Sequence, residues 1–209
     1  MTQTPQSAPS EDELAERLRG AIRQGDILND GRMPPERALA EHFSVSRARL
    51  RLALGLLQED GTIYRRHGQG TFATPPPATN ADSLRHLARQ VTPSDVMEVR
   101  LEVEPALAAL AADRARPQEI ERLDQLMRAT LNLSDPDAYE AADDMFHYKI
   151  AEMARNPLFL TVYESIRAVR REVAWTSRRR TYHAPETLQV LGEQHMTLND
   201  AIARRDTLG

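Results

Sequence analysis

Apolar residues recur every three or four positions along most of the chain, which is the spacing of one face of an α-helix. Residues 11–23 repeat leucine and isoleucine in this way and predict a first helix. A second amphipathic segment ends at the tight break Phe43-Ser44-Val45, and a third segment begins directly after it. In the third segment the apolar stripe consists of Leu50, Ala53, Leu54 and Leu57. This part of the chain is therefore predicted to form three short helices, with a sharp turn between the second and the third.

Residues 62–74 break the helical spacing and predict a small hairpin. Tyr64 and Phe72 suit strand positions, and the turn between them contains two glycines, which supply unusual backbone angles. Helices, a tight turn and a hairpin in this order are the arrangement of a winged helix-turn-helix, which places one helix in the major groove of DNA. We therefore predict this fold for residues 11–74, after a disordered tail at 1–10.

The third helix carries the residues that would read DNA. Ser46 is expected to cap its first turn, and Arg47 and Arg51 stand four residues apart on the face opposite the leucine stripe. A guanidinium group is the commonest reader of guanine and also binds phosphate. Two arginines alone would equally suit a solvated surface. The preceding helix, the turn and the hairpin favour DNA contact instead.

The motifs of residues 11–74 resemble the DNA-binding domain of the GntR family of bacterial transcription regulators. The matching stretches are Gly31-Arg32-Met33-Pro34-Pro35-Glu36-Arg37, Val45-Ser46-Arg47, Arg51 and Gly68-Gln69-Gly70-Thr71-Phe72. The resemblance implies contacts with the major groove and the DNA backbone from Arg37, Ser46, Arg47 and Arg51. It implies minor-groove contacts from His67 and Gly68. Ala48 and Leu52 depart from the family pattern, which usually has Thr and Glu at these positions. The resemblance therefore does not indicate which DNA sequence the protein prefers.

The sequence pattern of the second half of the chain predicts helices throughout. A linker at 75–92 opens with three prolines, which favour a stiff extended chain, and it contains a short helical segment at 82–90. Prolines mark the boundaries between the later segments, as first-turn prolines do. The predicted helices are 94–114, 117–133, 137–155, 157–180 and 186–205. The fold class is thus mostly α, with an all-α bundle at 93–209 following the winged domain.

Four polar residues interrupt the apolar stripes of this bundle. Arg100, Asp143, His147 and His195 each lie on or beside the buried face of their own helix, whereas Asp144 is predicted to point to solvent. A buried guanidinium demands an anionic partner. A carboxylate with two imidazoles is a normal ligand set for a divalent transition metal. Each residue alone could be a buried polar residue whose hydrogen bonds are made within the core. Together, the four residues favour a polar pocket.

The bundle resembles the FCD effector-binding domain of the FadR branch of GntR regulators. The residues that carry this resemblance are Glu98-Val99-Arg100 with Glu104, Asp143 to His147, Asn156-Pro157-Leu158 and Glu193-Gln194-His195. The resemblance implies a zinc or nickel ion bound by Asp143, His147 and His195, with a small carboxylate effector beside it and Arg100 within its reach. A fourth histidine ligand is expected in a last helix about twenty residues beyond His195, by the resemblance.

Because the sequence ends at Gly209, we expect the bundle to lack that last helix. Two explanations stay open. Either the chain is truncated, or the site works with three protein ligands and a water or the effector. His183 is a weak substitute for the fourth ligand.

Composition is consistent with a cytoplasmic regulator. The chain has 209 residues, no cysteine and a net charge of −4, and no apolar run approaches a membrane span. Residues 32–72 nevertheless hold seven arginines against four acidic residues, which is a local charge of +3. A basic DNA-binding segment in an otherwise acidic chain favours specific over indiscriminate DNA binding.

We therefore expect a homodimeric, sequence-specific transcription regulator that binds a double-stranded DNA operator and senses a small organic acid. It is not expected to be an enzyme. Two alternatives stay open: a metal-dependent hydrolase, because a three-ligand metal site with open positions resembles a hydrolase centre, and a DNA-binding protein with an inert dimerisation bundle.

Overall fold

The computed structural model describes residues 10–29, 31–66, 69–74, 81–131, 133, 135–171 and 185–208. The chain divides into two compact units, residues 1–76 and residues 77–209. Most of the predicted tail, the two predicted minor-groove residues His67 and Gly68, the three linker prolines and His183 lie outside the described residues.

The first unit begins with three helices, α1 (Glu11–Gln24), α2 (Glu36–His42) and α3 (Arg47–Glu59). Ser10 caps α1, because its hydroxyl oxygen accepts a hydrogen bond from the Glu13 amide at 3.1 Å, while the Glu13 carboxylate accepts one from the Ser10 amide at 2.8 Å. Gly25 ends the helix with a left-handed φ of 79°.

The turn between α2 and α3 lies at the predicted break. Ser44 adopts a φ of 55°, and the Val45 amide donates to the Ala40 carbonyl at 3.0 Å. Ser46 then caps α3 by accepting a hydrogen bond from the Arg49 amide at 3.2 Å. The sharp turn and the capping role predicted from the sequence are therefore both present.

The hairpin consists of β1 (Tyr64–Arg66) and β2 (Gly70–Phe72), paired antiparallel with Tyr64 opposite Phe72. An isolated bridge joins Arg32 to Phe72 and extends this ribbon toward the loop before α2. Gly31 makes this approach possible, because a Cβ on it would come within 2.5 Å of the Thr74 hydroxyl oxygen. It also has a φ of 74°, which L-residues rarely adopt.

One apolar core holds this unit together. The predicted stripe of α3 is completely buried and packs against α1 and the loop before α2. The core members with no exposed surface are Leu14, Leu18, Leu50, Ala53, Leu54, Leu57 and Ile63. The helical phase read from the sequence therefore identified the buried face of α3 correctly.

The described part of the second unit is helical. Its elements are α4 (Ala81–Ala88), α5 (Pro93–Arg114), α6 (Pro117–Ala129), α7 (Pro136–Met153), α8 (Pro157–Arg170) and α9 (Pro185–Ala203). Each helix from α5 to α9 begins with a proline, where the missing amide hydrogen costs nothing. The mostly helical fold class predicted from the sequence is confirmed.

The core of the second unit lies among α5, α6, α7 and α9. Phe146 and Met153 of α7 occupy its centre and are completely buried. The helix α8 packs against α4, α5 and α7. None of the described helices is long and apolar enough to cross a membrane.

The predicted helix at 117–133 ends early. The helix α6 stops at Ala129, and the Thr130 hydroxyl donates to the Met127 carbonyl at 2.7 Å. This bond satisfies a carbonyl of the last turn and places Thr130 at the end of the core, with 3% of its surface exposed. The position of Thr130 matters for the site described next.

Candidate functional site

The outer face of α3 presents two arginines beside its capped N-terminus. Arg47 and Arg51 are exposed, as their helical phase predicts, and Arg51 shows 59% of its side chain to solvent. Arg37 of α2 is 80% exposed, with Glu41 at 3.8 Å. These residues and Ser46 lie on the surface of the first unit. Their side chains are therefore accessible to another molecule.

Glu36 organises this surface through two contacts that were not predicted from the sequence. Its Oε2 atom accepts a hydrogen bond from Arg51 Nε at 2.9 Å, and its Oε1 atom is paired with the Arg65 guanidinium of β1. The hydrogen bond from Arg51 holds the pKa of the Glu36 carboxyl below its ordinary value. The Glu36 carboxylate therefore joins α2, α3 and the hairpin.

Asp143, His147 and His195 come together in the second unit. His147 Nε2 lies 3.5 Å from Asp143 Oδ1, and His195 Nε2 lies 3.3 Å from the same oxygen. The two Nε2 atoms are 3.2 Å apart. Two ligand atoms bonded to a tetrahedral zinc at 2.0–2.2 Å would be about 3.4 Å apart. The triangle of the three side chains therefore fits a metal ion.

The contact between His195 and Thr130 suits the tautomer that His195 would adopt on binding a metal. The Thr130 hydroxyl donates to the Met127 carbonyl, so its oxygen is free to accept from His195 Nδ1, which lies 3.1 Å away. A proton on Nδ1 leaves a lone pair on Nε2, the atom that faces Asp143 and His147. Outer hydrogen bonds of this kind orient histidine ligands in metal sites.

The arginine beside Asp143 is Arg170 and not Arg100. Arg170 is buried on α8, and its Nη2 atom lies 3.5 Å from Asp143 Oδ2. Arg100 is paired with Glu104 of its own helix through contacts of 2.6 and 3.0 Å. An arginine and a glutamate four residues apart on a helix commonly pair, so this partner could have been read from the sequence.

Burial alone would raise the pKa of the Asp143 carboxyl, but its charged neighbours outweigh burial. His147, His195 and Arg170 favour the ionised form, so the pKa lies well below the ordinary value. Asp143 is therefore a carboxylate, as a metal ligand must be.

Asp144 is not directed to solvent, contrary to our expectation. Its two carboxylate oxygens bind Arg167 of α8 at 2.6 and 2.7 Å, and Arg167 is buried. The helical phase of α7 turns Asp144 away from the main core, but α8 packs on that side.

An open cleft of about 910 Å³ reaches the metal-ligand cluster. His147 is a member of the cluster and also lines the cleft. Most of the other lining residues come from α5 and α9. Arg100, Glu104 and Tyr163 also face the cleft. The Tyr163 side chain is 1% exposed, and its hydroxyl has no hydrogen-bond partner among the described residues. The cleft is thus lined by a guanidinium paired with Glu104, by a tyrosine and by one histidine of the cluster.

Comparison with known proteins identifies both units. The description "Bacterial regulatory proteins, gntR family" matches residues 10–73, and "FCD domain" matches residues 95–209. The chain is a member of the GntR family of bacterial regulators. Its second unit is an FCD domain, and the chain is a DNA-binding transcription regulator and not an enzyme. The hydrolase alternative is therefore dropped.

Several relatives of this GntR regulator are known. A protein of Escherichia coli (strain K12), named as an L-lactate dehydrogenase operon regulatory protein, is 34% identical over 95% of this chain and 79% of its own length. The regulator LutR of Bacillus subtilis (strain 168) is 26% identical over 87% of this chain and 85% of its own length. The solved structure of E. coli McbR/YncC is 19% identical, covers 95% of this chain and 88% of its own, and has a TM-score of 0.49.

Proposed function

We propose that this GntR regulator senses a small organic acid through a divalent metal ion held by Asp143, His147 and His195. The observation that supports this most directly is the triangle of ligand atoms with sides of 3.2 to 3.5 Å. Nitrogen and carboxylate donors of this kind suit zinc or nickel. When bound, the metal would supply a Lewis-acid contact for a carboxylate oxygen of the effector.

The cleft supplies the remaining contacts to the effector. The Arg100 guanidinium attracts a carboxylate, and in the free protein Glu104 neutralises it. The Tyr163 hydroxyl is available to hydrogen-bond a polar group of the ligand. A buried hydroxyl without a partner is costly, so a ligand that satisfies it gains affinity.

We propose a short 2-hydroxycarboxylate, with L-lactate as the first compound to test. The 34% identical relative from Escherichia coli is named for an L-lactate dehydrogenase operon. A carboxylate and a neighbouring hydroxyl also match the charged and uncharged groups that face the cleft. The effector then alters operator binding by the first unit.

On the DNA side, we propose that a homodimer in the cytoplasm reads a palindromic operator. Arg47 and Arg51 would enter the major groove, with Arg37 and Ser46 at the adjoining backbone and His67 and Gly68 at the minor groove. The exposed arginines on α3 support this assignment. Two copies of the first unit bury more surface against DNA than one copy does. A dimer with two-fold symmetry also matches the symmetry of a palindromic operator.

Metal titration tests the sensor. Protein purified without a metal-affinity step is dialysed against a chelator and titrated calorimetrically with ZnCl₂ and NiCl₂. We expect one ion bound per chain and a rise in the melting temperature. His195→Ala should lose both effects, and His86→Ala, an exposed histidine on α4, should keep them. Metal binding that survives His195→Ala would overturn the ligand assignment.

A second experiment tests whether the protein binds a small organic acid. Sodium L-lactate added to the zinc-loaded protein should raise the melting temperature further, and Tyr163→Phe should reduce this shift while metal binding stays unchanged. A protein that binds metal but responds to no small organic acid would contradict the sensor proposal. That result would support the alternative of an inert dimerisation bundle.

A further inference from the structure

Leu52 is an exposed apolar residue on the outer face of α3. Its side chain is 53% exposed, in a row with Ala48 and Gly55. At 100° per residue, Leu52 lies about 150° from the centre of the buried stripe, which makes it one of the most outward positions of the helix. Arg47 and Arg51 run along one side of this row. Any molecule that contacts the outer face of α3 therefore meets Leu52.

The chemistry of the row restricts what it can recognise. The side chains of Ala48 and Leu52 have no hydrogen-bond donor or acceptor, and Gly55 has no side chain. They can contact other molecules only through apolar groups. In the major groove of DNA, the C5 methyl group of thymine is the apolar feature that distinguishes one base from the others. A leucine that reaches the bases would therefore favour thymine, whereas an arginine favours guanine.

Charge and family membership identify DNA as the occupant of this face. A single leucine on a protein surface needs no explanation by itself. Leu52, however, directly follows the exposed Arg51 within a segment of local charge +3. The segment belongs to the DNA-binding domain of a GntR regulator. A protein partner with an apolar patch would have to accommodate this arginine, whereas the DNA backbone attracts it.

We propose that Leu52 reads a thymine methyl group in each half of the operator and thereby sets the sequence preference of this regulator. The contact is a van der Waals and apolar contact between the leucine methyl groups and the C5 methyl group. It requires that α3 lies in the major groove with its outer face toward the bases. It requires neither a metal ion nor an effector, so it is independent of the sensor proposal.

Replacing thymine by deoxyuridine tests this contact, because the change removes only the methyl group and keeps base pairing. The full chain first selects a duplex from a random-sequence library. Each thymine of that duplex is then replaced in turn, and affinity is measured by fluorescence anisotropy. Loss of one methyl-sized contact is worth about a fourfold loss of affinity. We expect this loss at one thymine position in each half-site.

Leu52→Ala should remove the sensitivity to deoxyuridine at that position and at no other. Leu158→Ala, which changes a leucine that is 74% exposed on α8, is the matched control and should behave as the parent. Circular dichroism checks that both variants fold. An equal deoxyuridine penalty for the parent and Leu52→Ala would overturn the proposal. So would a selected duplex in which no thymine methyl contributes, or a failure to select any sequence.

Discussion

Single side chains of opposite charge set the geometry of the DNA-reading surface. Glu36 is the first residue of α2, and it binds Arg51 of α3 and Arg65 of β1 with its two carboxylate oxygens. Arginine side chains on a surface otherwise sample many rotamers, and fixing them costs conformational entropy. A carboxylate that orders Arg51 before DNA arrives reduces this cost at binding. Glu36 is thus expected to position an arginine without touching a base.

Glu36→Gln should lower the ratio of specific to non-specific DNA affinity. The substitution releases Arg51 and Arg65, and it removes a negative charge close to the DNA phosphates. Non-specific affinity should therefore rise, while affinity for the selected duplex should fall by a few-fold. Anisotropy titrations with a selected and a scrambled duplex measure both. Glu41→Gln on the same helix is the matched control, because its carboxylate is 68% exposed and 3.8 Å from Arg37.

The same carboxylate makes a pH-dependent contribution to stability. The pKa of Glu36 in the folded protein is below its ordinary value of 4.5, chiefly because of the hydrogen bond from Arg51. Its stabilisation is therefore complete above that ordinary value and is lost as the pH falls through the folded-state pKa. The parent should exceed Glu36→Gln in urea stability at pH 7 by less than about 1 kcal/mol. The two should converge in acid, and a gap that widens instead would refute this.

At the scale of secondary-structure elements, the ion pair between Arg167 and Asp144 is one of two, among the described residues, that join α8 to α7. Arg167 is 4% exposed and binds both oxygens of Asp144, and its guanidinium also lies 5.2 Å from the centre of the Tyr148 ring. The neighbouring residue Asp143, on the same helix, belongs to the proposed metal-binding cluster of Asp143, His147 and His195. Docking of α8 therefore places Arg170 beside Asp143 and fixes the environment of the metal ligands.

Arg167→Met should destabilise the second unit by about 3 kcal/mol, because removing one partner of a buried pair leaves the other charge uncompensated. Urea unfolding followed by circular dichroism measures the loss. Arg128→Met removes an arginine from an exposed pair with Asp124 on α6 and should unfold at the same urea concentration as the parent. The double variant Arg167→Met with Asp144→Leu should recover much of the loss. Equal destabilisation by the two single arginine variants would show that the pair does not hold α8.

At the scale of the whole molecule, charge is distributed unevenly. The chain carries a net charge of −4, although residues 32–72 carry +3. The remaining residues must therefore carry −7 in total, since −4 less +3 is −7. The basic reader attracts DNA, while an acidic remainder repels it wherever the arginines of α3 are not engaged. This distribution favours binding that depends on a correct fit of the reading surface.

The full chain should bind DNA as a dimer and with strong salt dependence. If two reading surfaces together contact six to ten phosphates, affinity should fall by roughly 10³ to 10⁵ between 50 and 200 mM salt. Sedimentation should give twice the monomer mass, and footprinting should protect two equivalent half-sites. A monomer that protects a single half-site would contradict the homodimer proposal.

The sequence by itself determined where most of the described helices begin and which face of α3 is buried. Ser46 caps α3, and the boundary prolines begin their helices, because caps and turns depend on residues within one helical turn of each other. The inward phases of Asp143, His147 and His195 follow from the same short-range periodicity. Their convergence required only that buried faces meet.

Only the tertiary structure decided which charged side chains on different elements become partners. Helical phase gives the direction of a side chain to within a broad sector, but a long guanidinium group reaches any carboxylate that another element brings into that sector. Glu36 therefore pairs with residues 15 and 29 positions away, and Asp144 meets Arg167 because α8 packs on its side. For the same reason Arg170 and not Arg100 lies beside Asp143. The packing of helices distant in sequence selects these pairs, and local periodicity contains no information about it.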